Sequence, residues 1–167
     1  MQLSIDKLSA KHDRSVFECG VEALDYYLKN QAGQDIRRNL SSVFVLLKDD
    51  ERIVGYYTLS QSALTVEKFP KSVAGKLPKR DVACTLLGRL AVDLHFKGMG
   101  FGRLLLFHAL KKAVDTSQDI ASFAVIVDAK DEEAKSFYLK YDFLELEDAP
   151  LRMFIPIKGL TQKMNFL

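Results

Sequence analysis

Three glycines at alternate positions, Gly98, Gly100 and Gly102, separate an apolar segment from a helix-like segment of the chain. The segment before them, from Leu86 to Val92, has the apolar character of a buried strand, and the leucines that follow Gly102 begin an amphipathic pattern. Glycine lets the backbone turn tightly and expose consecutive N–H groups. At the start of a helix such groups meet the positive end of the helix dipole and form an anion site. The pattern therefore predicts a pyrophosphate-binding turn.

The composition is typical of a globular protein, and the 167 residues are expected to form one domain, 1–167. A net charge of +2 is too small to indicate a nucleic-acid partner by itself. Apolar runs such as Val43–Leu47 are far shorter than the ~20 residues that cross a bilayer, and the first residues lack the apolar region of a secretory signal. We therefore expect a cytoplasmic location, no membrane association, and free, buried thiols at Cys19 and Cys84.

Hydrophobic periodicity predicts an α/β domain built on a mixed sheet. Strands are predicted at 2–7, 42–48, 53–66, 81–93, 120–127, 143–146 and 152–157. Helices are predicted at 21–30, with a continuation toward residue 40, and at 100–115 and 131–140. An acidic turn at 49–51 predicts a hairpin, and residues 67–80 are interpreted as a long connection without a regular element. The buried side of the second helix is expected to carry Leu104, Leu105, Leu106, Ala109, Leu110 and Ala113.

Three kinds of glycine-rich loop compete for the 97–103 segment. A phosphate-binding P-loop needs Lys followed by Ser or Thr after its last glycine, whereas Arg103 and Leu104 follow here. A dinucleotide fingerprint has a different glycine spacing and lies in the first strand–helix unit of its domain. The segment resembles instead the acetyl-CoA loop of the GNAT N-acetyltransferase family, with Lys97 where that family more often has Arg or Gln.

A second segment supports the same resemblance. The strand near 122–127, the helix from Asp131 and the sequence from Phe137 to Phe143 are similar to the Phe-Tyr-x-x-x-Gly-Phe block of the family. Asp142 replaces the usual glycine, and aspartate tolerates a left-handed backbone better than most residues. The resemblance covers nearly the whole chain and implies the GNAT fold, a central mixed, mostly antiparallel β-sheet flanked by helices on both faces.

Segments at 17–28, 54–60 and 87–93 resemble one branch of that family, the toxins of bacterial type II toxin–antitoxin systems. This resemblance implies an enzyme that uses acetyl-CoA to acetylate the α-amino group of aminoacyl-tRNA and so blocks translation. It also implies neutralisation by a ribbon-helix-helix antitoxin, a homodimer, and contact with DNA only through the antitoxin. No metal ion is expected.

The resemblance assigns roles to individual residues. Tyr138 is the expected catalytic acid, since a phenol with a pKa of about 10 keeps its proton at neutral pH; the alternative is a tyrosine that only packs beside Phe137. The strand end at Leu90–Val92 could pair with the pantetheine arm as an added strand does, or could be a plain buried strand. The residues expected to bind acetyl-CoA are Leu90, Ala91, Val92, Lys97, Gly98, Met99, Gly100, Phe101, Gly102, Arg103, Asp128, Ala129 and Phe137.

The sequence indicates no general base. Residues 84–93 contain no glutamate, and the three histidines are scattered and read as surface or packing residues. An α-amino group has a pKa of about 7.7–8.0 against about 10.4 for lysine, so a weak base or a water could suffice for aminoacyl-tRNA. The residues expected to contact tRNA phosphates are Arg37, Arg38, Lys79, Arg80 and Arg89, although such charges are often only solvated surface.

Two alternative functions compete with the tRNA-acetylating toxin. One is a GNAT acetyltransferase that acts on a protein amine or a small-molecule amine, for which an anionic acceptor pocket would favour a polyamine. The other is a binding module that keeps the fold but has no turnover and forms half of a regulatory complex on DNA. The intact Tyr138 and the glycine loop argue against the second alternative.

Overall fold

The computed structural model describes residues 1–147 and 149–164. Its strands are β1 (Leu3–Lys7), β2 (Ser42–Lys48), β3 (Arg52–Leu64), β4 (Val82–Val92), β5 (Ala124–Asp128), β6 (Leu144–Leu146) and β7 (Ala149–Pro156). Its helices are α1 (Glu22–Tyr26), α2 (Ala32–Arg37), α3 (Lys71–Ala74), α4 (Phe101–Ser117), α5 (Glu132–Lys140) and α6 (Ile157–Met164). A π-helical turn, Tyr27–Gln31, connects α1 to α2, and 3₁₀ turns occupy Val66–Lys68 and Leu94–Phe96.

The strands within the described residues form one sheet of seven, in the order β1-β2-β3-β4-β5-β7-β6. Strands β1 and β2, β2 and β3, β5 and β7, and β6 and β7 pair antiparallel, whereas β4 and β5 pair parallel. The parallel pair is connected through α4, as a parallel connection requires. The prediction of a mixed, mostly antiparallel sheet in an α/β protein is confirmed.

The predicted hairpin between β2 and β3 is confirmed by its register, which runs from Ser42 opposite Leu59 to Lys48 opposite Arg52. The turn has left-handed backbone at Asp49 (φ 52°) and Asp50 (φ 65°). Aspartate is among the few non-glycine residues that enter this region readily, which explains the acidic turn.

The chain forms two compact units, of which the first contains residues 1–60 and 88–109. Its core is built from aromatic and aliphatic side chains of the N-terminal region, β2, β3 and β4, namely Leu8, Phe17, Cys19, Tyr27, Leu28, Ala32, Val43, Val45, Leu47, Ile53, Tyr56 and Ala91. The hydroxyl of Tyr56 donates a 2.7 Å hydrogen bond to the carbonyl of Leu24, so this buried phenol is satisfied. Burial raises the pKa of Tyr56 above its usual range.

Gly55 allows three elements of the first unit to approach closely. A Cβ atom at this position would lie 2.7 Å from Leu105 Cδ1 of α4 and 2.8 Å from the carbonyl oxygen of Ala91 in β4. Both distances are shorter than van der Waals contact, so only glycine fits without displacement of a neighbour. The absence of a side chain in β3 therefore sets the position of the first turns of α4 relative to β4.

The second unit contains residues 61–87 and the described residues from 110 onward. Its core includes Leu64, Phe69, Cys84, Ala124, Ile126, Leu146 and Phe154. The ring of Phe69 meets Phe123 at 5.4 Å and Phe154 at 5.1 Å, both edge to face. Cys19 and Cys84 are free and buried, as predicted, and burial raises the pKa of the Cys84 thiol to about 11.

Several details differ from the sequence-based expectations, among them strand β7, which begins at Ala149 rather than at residue 152. Residues 67–80 contain a short helix, α3, which begins after Pro70, whose carbonyl accepts the N–H groups of Val73 and Ala74. Helix α6 was not predicted. Strand β5 begins at Ala124 rather than at residue 120, because the N–H of Ile120 donates to the carbonyl of Thr116 in the turn that ends α4, where the Ile120 side chain is 55% exposed. Leu104 is 41% exposed rather than buried.

No helix among the described residues is long and apolar enough to cross a membrane.

Candidate active site

The glycine turn has the unusual backbone that the sequence predicts, at two of its three glycines. Gly98 has a φ of 77° and Gly100 a φ of 82°, where residues with side chains are strained. A Cβ atom at either position would meet nothing within 4 Å. The backbone angle therefore requires glycine here, and the space beside the turn is open. Gly102 has no positive φ and lies inside α4.

The turn leads directly into the first turn of α4, a helix of 17 residues. The N–H of Leu104 bonds back to the carbonyl of Gly100 at 3.2 Å, so the N–H groups of 101–103 come before the first intrahelical bond. They lie at the positive end of the helix dipole, and the exposed side chains of Lys97 and Arg103 add two positive charges. This arrangement fits a pyrophosphate, and no metal-binding cluster of acidic, His or Cys side chains occurs among the described residues.

The end of β4 lies immediately before this turn. Ala91 is 4% exposed, while Leu90 and Val92 are half-buried. The register between β4 and β5 covers Thr85 to Leu87 and, among the described pairs, does not include the three residues at 90–92. A strand segment without such a partner can pair its backbone with an extended amide-bearing ligand.

Asp93, the residue between β4 and the 3₁₀ turn, has a carboxylate with several hydrogen bonds, and it is not among the site residues predicted from the sequence. Its side chain is fully buried. Oδ1 accepts from the backbone N–H of His95 at 2.9 Å and lies 2.9 Å from Nδ1 of the same residue. Oδ2 accepts from the backbone N–H of Glu18 at 3.1 Å and lies 3.6 Å from Nη2 of Arg52.

The protonation of Asp93 follows from these contacts. Burial would raise the pKa of this carboxyl, but the N–H groups of His95 and Glu18, the His95 ring and Arg52 together hold the pKa below its usual range. The side chain is therefore a carboxylate at neutral pH. The sequence offers one indication of this role, namely that Asp93 directly follows a strand that is predicted to be buried.

Tyr138 lies on α5 in the second unit and is 6% exposed. Its ring meets Phe137 at 5.2 Å and Phe143 at 5.3 Å, both edge to face. Burial, together with the negative charge of Asp128, raises the pKa of the Tyr138 phenol above its usual range. The phenol therefore keeps its proton well above neutral pH, which suits a proton donor.

The local chain around Tyr138 is fixed at both ends of α5. Asp131 caps the helix, since its Oδ1 accepts from the N–H of Ala134 at 2.8 Å. After the helix, Asp142 has a φ of 70°, as the predicted left-handed turn requires, and its Oδ2 accepts from Lys163 Nζ of α6 at 2.7 Å. Tyr141 packs its ring 5.2 Å from that of Phe137.

The other predicted cofactor contacts of the second unit lie next to this helix in the chain. Asp128 ends β5 and forms an ion pair with Arg152 at 3.0 Å. Ala129 is buried, and its N–H donates to the carbonyl of Leu151 at 2.8 Å. Phe137 is half-buried. Of the predicted site residues, the structure assigns 90–92 and 97–103 to the first unit, and 128, 129, 137 and 138 to the second.

The five predicted tRNA contacts are divided in the same way. Arg37, Arg38 and Arg89 belong to the first unit, and Lys79 and Arg80 to the second. All are exposed except Arg89, which is half-buried. The guanidinium carbon of Arg89 lies 3.5 Å from the centre of the Tyr27 ring.

A groove in the first unit carries the opposite charge. It has a volume of about 730 Å³ and is lined by the segment 15–20 and by the outer face of α1 and the π-helical turn. Glu18, Glu22 and Asp25 contribute carboxylates to it, and Lys29 contributes one ammonium group. Tyr26, 56% exposed, and Val16, 50% exposed, supply apolar surface.

None of the three histidines presents an obvious general base. His12 is buried, Ser9 N–H donates to its Nδ1 at 3.1 Å, and burial lowers its pKa. His95 is bonded to Asp93, and Nδ1 of His108 lies 2.7 Å from the hydroxyl of Tyr57. The interpretation of these residues as packing or surface residues therefore agrees with their contacts.

Comparison with known proteins gives a family and several relatives. Residues 9–143 match the acetyltransferase (GNAT) family. The chain is 32% identical over 152 residues, 91% of this chain and 90% of that protein, to a tRNA-acetylating toxin of Mycobacterium tuberculosis. It is similar to the structure of AtaT complexed with acetyl-methionyl-tRNAfMet, with a TM-score of 0.90, 28% identity and coverage of 98% of this chain and 99% of that one.

A further solved structure is a tyrosine-to-phenylalanine mutant of the AtaT toxin bound to acetyl-CoA and to the C-terminus of the antitoxin AtaR. The similarity has a TM-score of 0.84 at 25% identity and covers 99% of each chain.

Proposed function

The chain belongs to the acetyltransferase (GNAT) family, and we propose that it is a toxin that acetylates the α-amino group of aminoacyl-tRNA with acetyl-CoA and so blocks translation. The observation that carries the acetyl-CoA half of this proposal is the turn at Gly98 and Gly100, which leads into a 17-residue helix whose first N–H groups precede the intrahelical bonds. The tRNA half is supported by the similarity to a tRNA-acetylating toxin along nine-tenths of the chain.

The residues of the first unit hold acetyl-CoA in this proposal. The N–H groups of 98–103 bind the pyrophosphate, Lys97 and Arg103 add charge at its rim, and the backbone of 90–92 pairs with the pantetheine arm. The ligand supplies an acetyl group as a thioester; the nitrogen–carbon bond forms as the carbon–sulfur bond breaks. A backbone N–H at 90–92 stabilises the oxygen that becomes negative during transfer.

Tyr138 has the role of the general acid. Its Oη proton moves to the departing thiolate sulfur, and the raised pKa of the buried phenol keeps that proton available at neutral pH. Asp128 and Ala129 at the end of β5, and Phe137 on α5, complete the cofactor contacts in the second unit.

The acceptor amine needs only a weak base. The α-amino group of an aminoacyl ester has a lower pKa than the lysine side chain, so a large share of it is neutral near pH 8. Water can accept the remaining proton. The chemistry thus favours aminoacyl-tRNA over a lysine acceptor, in agreement with the contacts of His12, His95 and His108.

The basic side chains supply the affinity for tRNA. Arg37, Arg38, Lys79 and Arg80 are exposed and contact phosphates, whereas Arg89 is held against Tyr27 and contacts the acceptor end. The antitoxin is a ribbon-helix-helix protein, the toxin is a homodimer of the cytoplasm, and DNA is bound only through the antitoxin. The structure of an AtaT mutant with the antitoxin AtaR supports an antitoxin partner.

A second candidate function has one observation in its favour. The groove lined by Glu18, Glu22 and Asp25 is the anionic pocket that a cationic polyamine would require. In that case the acceptor would be a small-molecule amine rather than aminoacyl-tRNA.

Labelled acetyl-CoA distinguishes these functions. We expect label on charged tRNA, and none on the same tRNA after its amino acid has been removed at alkaline pH. Label on spermidine but not on charged tRNA would select the second candidate, and label on bulk protein alone would select a protein acetyltransferase. A protein that binds acetyl-CoA but labels none of these acceptors would contradict the proposal.

A further inference from the structure

We propose that Asp93 is a positioning residue for acetyl-CoA, because its buried carboxylate fixes the backbone that leads into the glycine turn. This inference rests on the proposed function, since it concerns how the same turn is held ready for its ligand. Asp93 does not touch the ligand in this proposal; it acts through the segment 94–97.

The first argument is the use of both carboxylate oxygens. Oδ1 contacts the 3₁₀ turn Leu94–Phe96, where it accepts from His95 N–H and lies next to the His95 ring, each at 2.9 Å. Oδ2 serves the N-terminal region, where it accepts from Glu18 N–H, and it contacts Arg52 at the start of β3. A fully buried carboxylate is costly unless its contacts compensate, and here they connect segments that are 75 residues apart.

The second argument is the backbone on each side of the residue. The N–H of Asp93 donates to the carbonyl of Val54 at 2.8 Å, which aligns the end of β4 with β3. The N–H of Leu94 donates to the carbonyl of Glu18 at 2.8 Å, beside the Asp93 side-chain contact. The chain is thus fixed at the last strand residues that would pair with pantetheine and at the first residues of the turn.

The third argument is the openness of the glycine turn. Gly98 and Gly100 have no atom within 4 Å of the place where a Cβ would lie, so nothing packs against that side of either residue. Glycine also loses the most conformational entropy when it is ordered. The two flanks of the turn, which are α4 on one side and the Asp93 contacts on the other, therefore contribute much of its order.

Arg52 provides a second contact between Asp93 and the segment 94–97. Its guanidinium contacts Oδ2 of Asp93 and lies 5.6 Å from the ring of Phe96, the last residue of the 3₁₀ turn. Lys48 approaches the same ring at 5.7 Å. Removal of the negative charge at 93 would weaken the contact with Arg52 and the hydrogen bonds to the 3₁₀ turn. The ligand would then have to order the glycine turn on binding.

The test compares Asp93→Asn with Asp115→Asn, a control that removes the same charge from an exposed aspartate paired with Lys111 on α4. Calorimetry measures the Kd of coenzyme A well below the melting temperature of each variant, and initial rates give KM and kcat. We expect Asp93→Asn to raise the Kd and the KM for acetyl-CoA about tenfold, with a much smaller change in kcat, and the control to match the wild type.

A second variant keeps the test valid should Asp93→Asn fail to fold. His95→Ala leaves the carboxylate and the backbone N–H contact in place and removes a side chain that is 71% exposed. We expect a smaller rise in the Kd of coenzyme A, about threefold, with an unchanged melting temperature.

Two results would count against different conclusions. If the wild type shows no coenzyme A binding, the proposed function fails. If the wild type binds but both variants have its Kd, only the positioning role of Asp93 is wrong, and a lowered melting temperature with an unchanged Kd would leave Asp93 a merely structural residue.

Discussion

Arg89 stacks on Tyr27, with its guanidinium carbon 3.5 Å from the centre of the ring, and the Tyr27 hydroxyl donates a 2.8 Å hydrogen bond to Oδ2 of Asp35. The tyrosine is 2% exposed, so the packing of the core fixes its ring, and burial together with the Asp35 contact raises the pKa of its hydroxyl. The planar guanidinium is therefore held over a ring that is itself fixed. Among the predicted tRNA contacts, Arg89 thus has a stacking partner within the part of the chain that the structure describes.

Replacement of Arg89 by lysine should reveal the value of this stacking. Lysine keeps the charge but cannot lie flat on the ring, so kcat/KM for aminoacyl-tRNA should fall about 2- to 30-fold, the range of a cation–π contact. Initial rates at saturating acetyl-CoA measure this. Tyr27→Phe is the matched control, since it keeps the ring, lowers the free energy of unfolding by about 1 kcal/mol and leaves kcat/KM unchanged. Equal rates for Arg89→Lys and the wild type would contradict the prediction.

Replacement of Tyr138 by phenylalanine should separate binding from turnover. The contacts with Phe137 and Phe143 involve only the ring, so the variant should fold and bind coenzyme A as the wild type does. Loss of the phenolic proton should lower kcat about 10²- to 10⁴-fold. Tyr141→Phe, which removes a hydroxyl from a ring that also packs on Phe137, should keep most of the activity. A Tyr138→Phe enzyme with wild-type kcat would remove the assignment of the general acid.

The pH dependence follows from two groups. The rate should rise as the acceptor α-amino group loses its proton, with a midpoint near the ordinary pKa of about 8. The pKa of Tyr138 is raised, so the phenol stays protonated and the rate should not fall between about pH 8 and pH 10. Initial rates measured over this interval, in buffers in which the protein stays folded and corrected for the alkaline loss of the amino acid from the tRNA, test the assignment. A falling limb that begins below pH 9 would indicate an acid with a much lower pKa than that of Tyr138.

Gly55→Ala should destabilise the first unit. The added methyl would lie 2.7 Å from Leu105 and 2.8 Å from the carbonyl of Ala91, so one of the two must move, at a cost of about 1–3 kcal/mol in the free energy of unfolding. Gly159→Ala is the control, because a Cβ there meets nothing within 4 Å and alanine favours a helix by up to about 1 kcal/mol. Urea unfolding of both variants measures the difference. An unchanged midpoint for Gly55→Ala would show that α4 is not fixed against β4 in this way.

The sequence predicted the elements whose signals are local. The β2–β3 hairpin and the start of α5 after Asp131 each follow from a few adjacent residues, and both are confirmed. The left-handed turn at Asp142 follows from the resemblance to the GNAT block in which glycine is usual at this place, and it is confirmed too. The α4 helix begins within one residue of its predicted start, because the glycine turn limits it on that side. The cofactor contacts expected at 97–103 remain predictions, although the backbone there fits an anion.

The sequence did not predict contacts between residues that are far apart. Asp93 reads as a polar residue after a strand, and its partner Glu18 lies 75 positions away, so no spacing pattern connects them. Arg89 and Tyr27 are likewise joined only by the fold. Helix α6 was missed because its buried residues, Ile157 and Leu160, form too short an apolar pattern beside a strand that is itself apolar.

The aspartate at position 142 gives the turn after α5 an ion pair, with Lys163, that glycine could not form. Its left-handed backbone costs about 1 kcal/mol relative to glycine. The exposed ion pair with Lys163 stabilises the fold by at most about 1 kcal/mol. Aspartate and glycine at position 142 would therefore give nearly the same free energy of unfolding at low salt. With aspartate, however, an exposed ion pair joins α6 to the end of α5, the helix that carries Tyr138, and rising ionic strength weakens that ion pair.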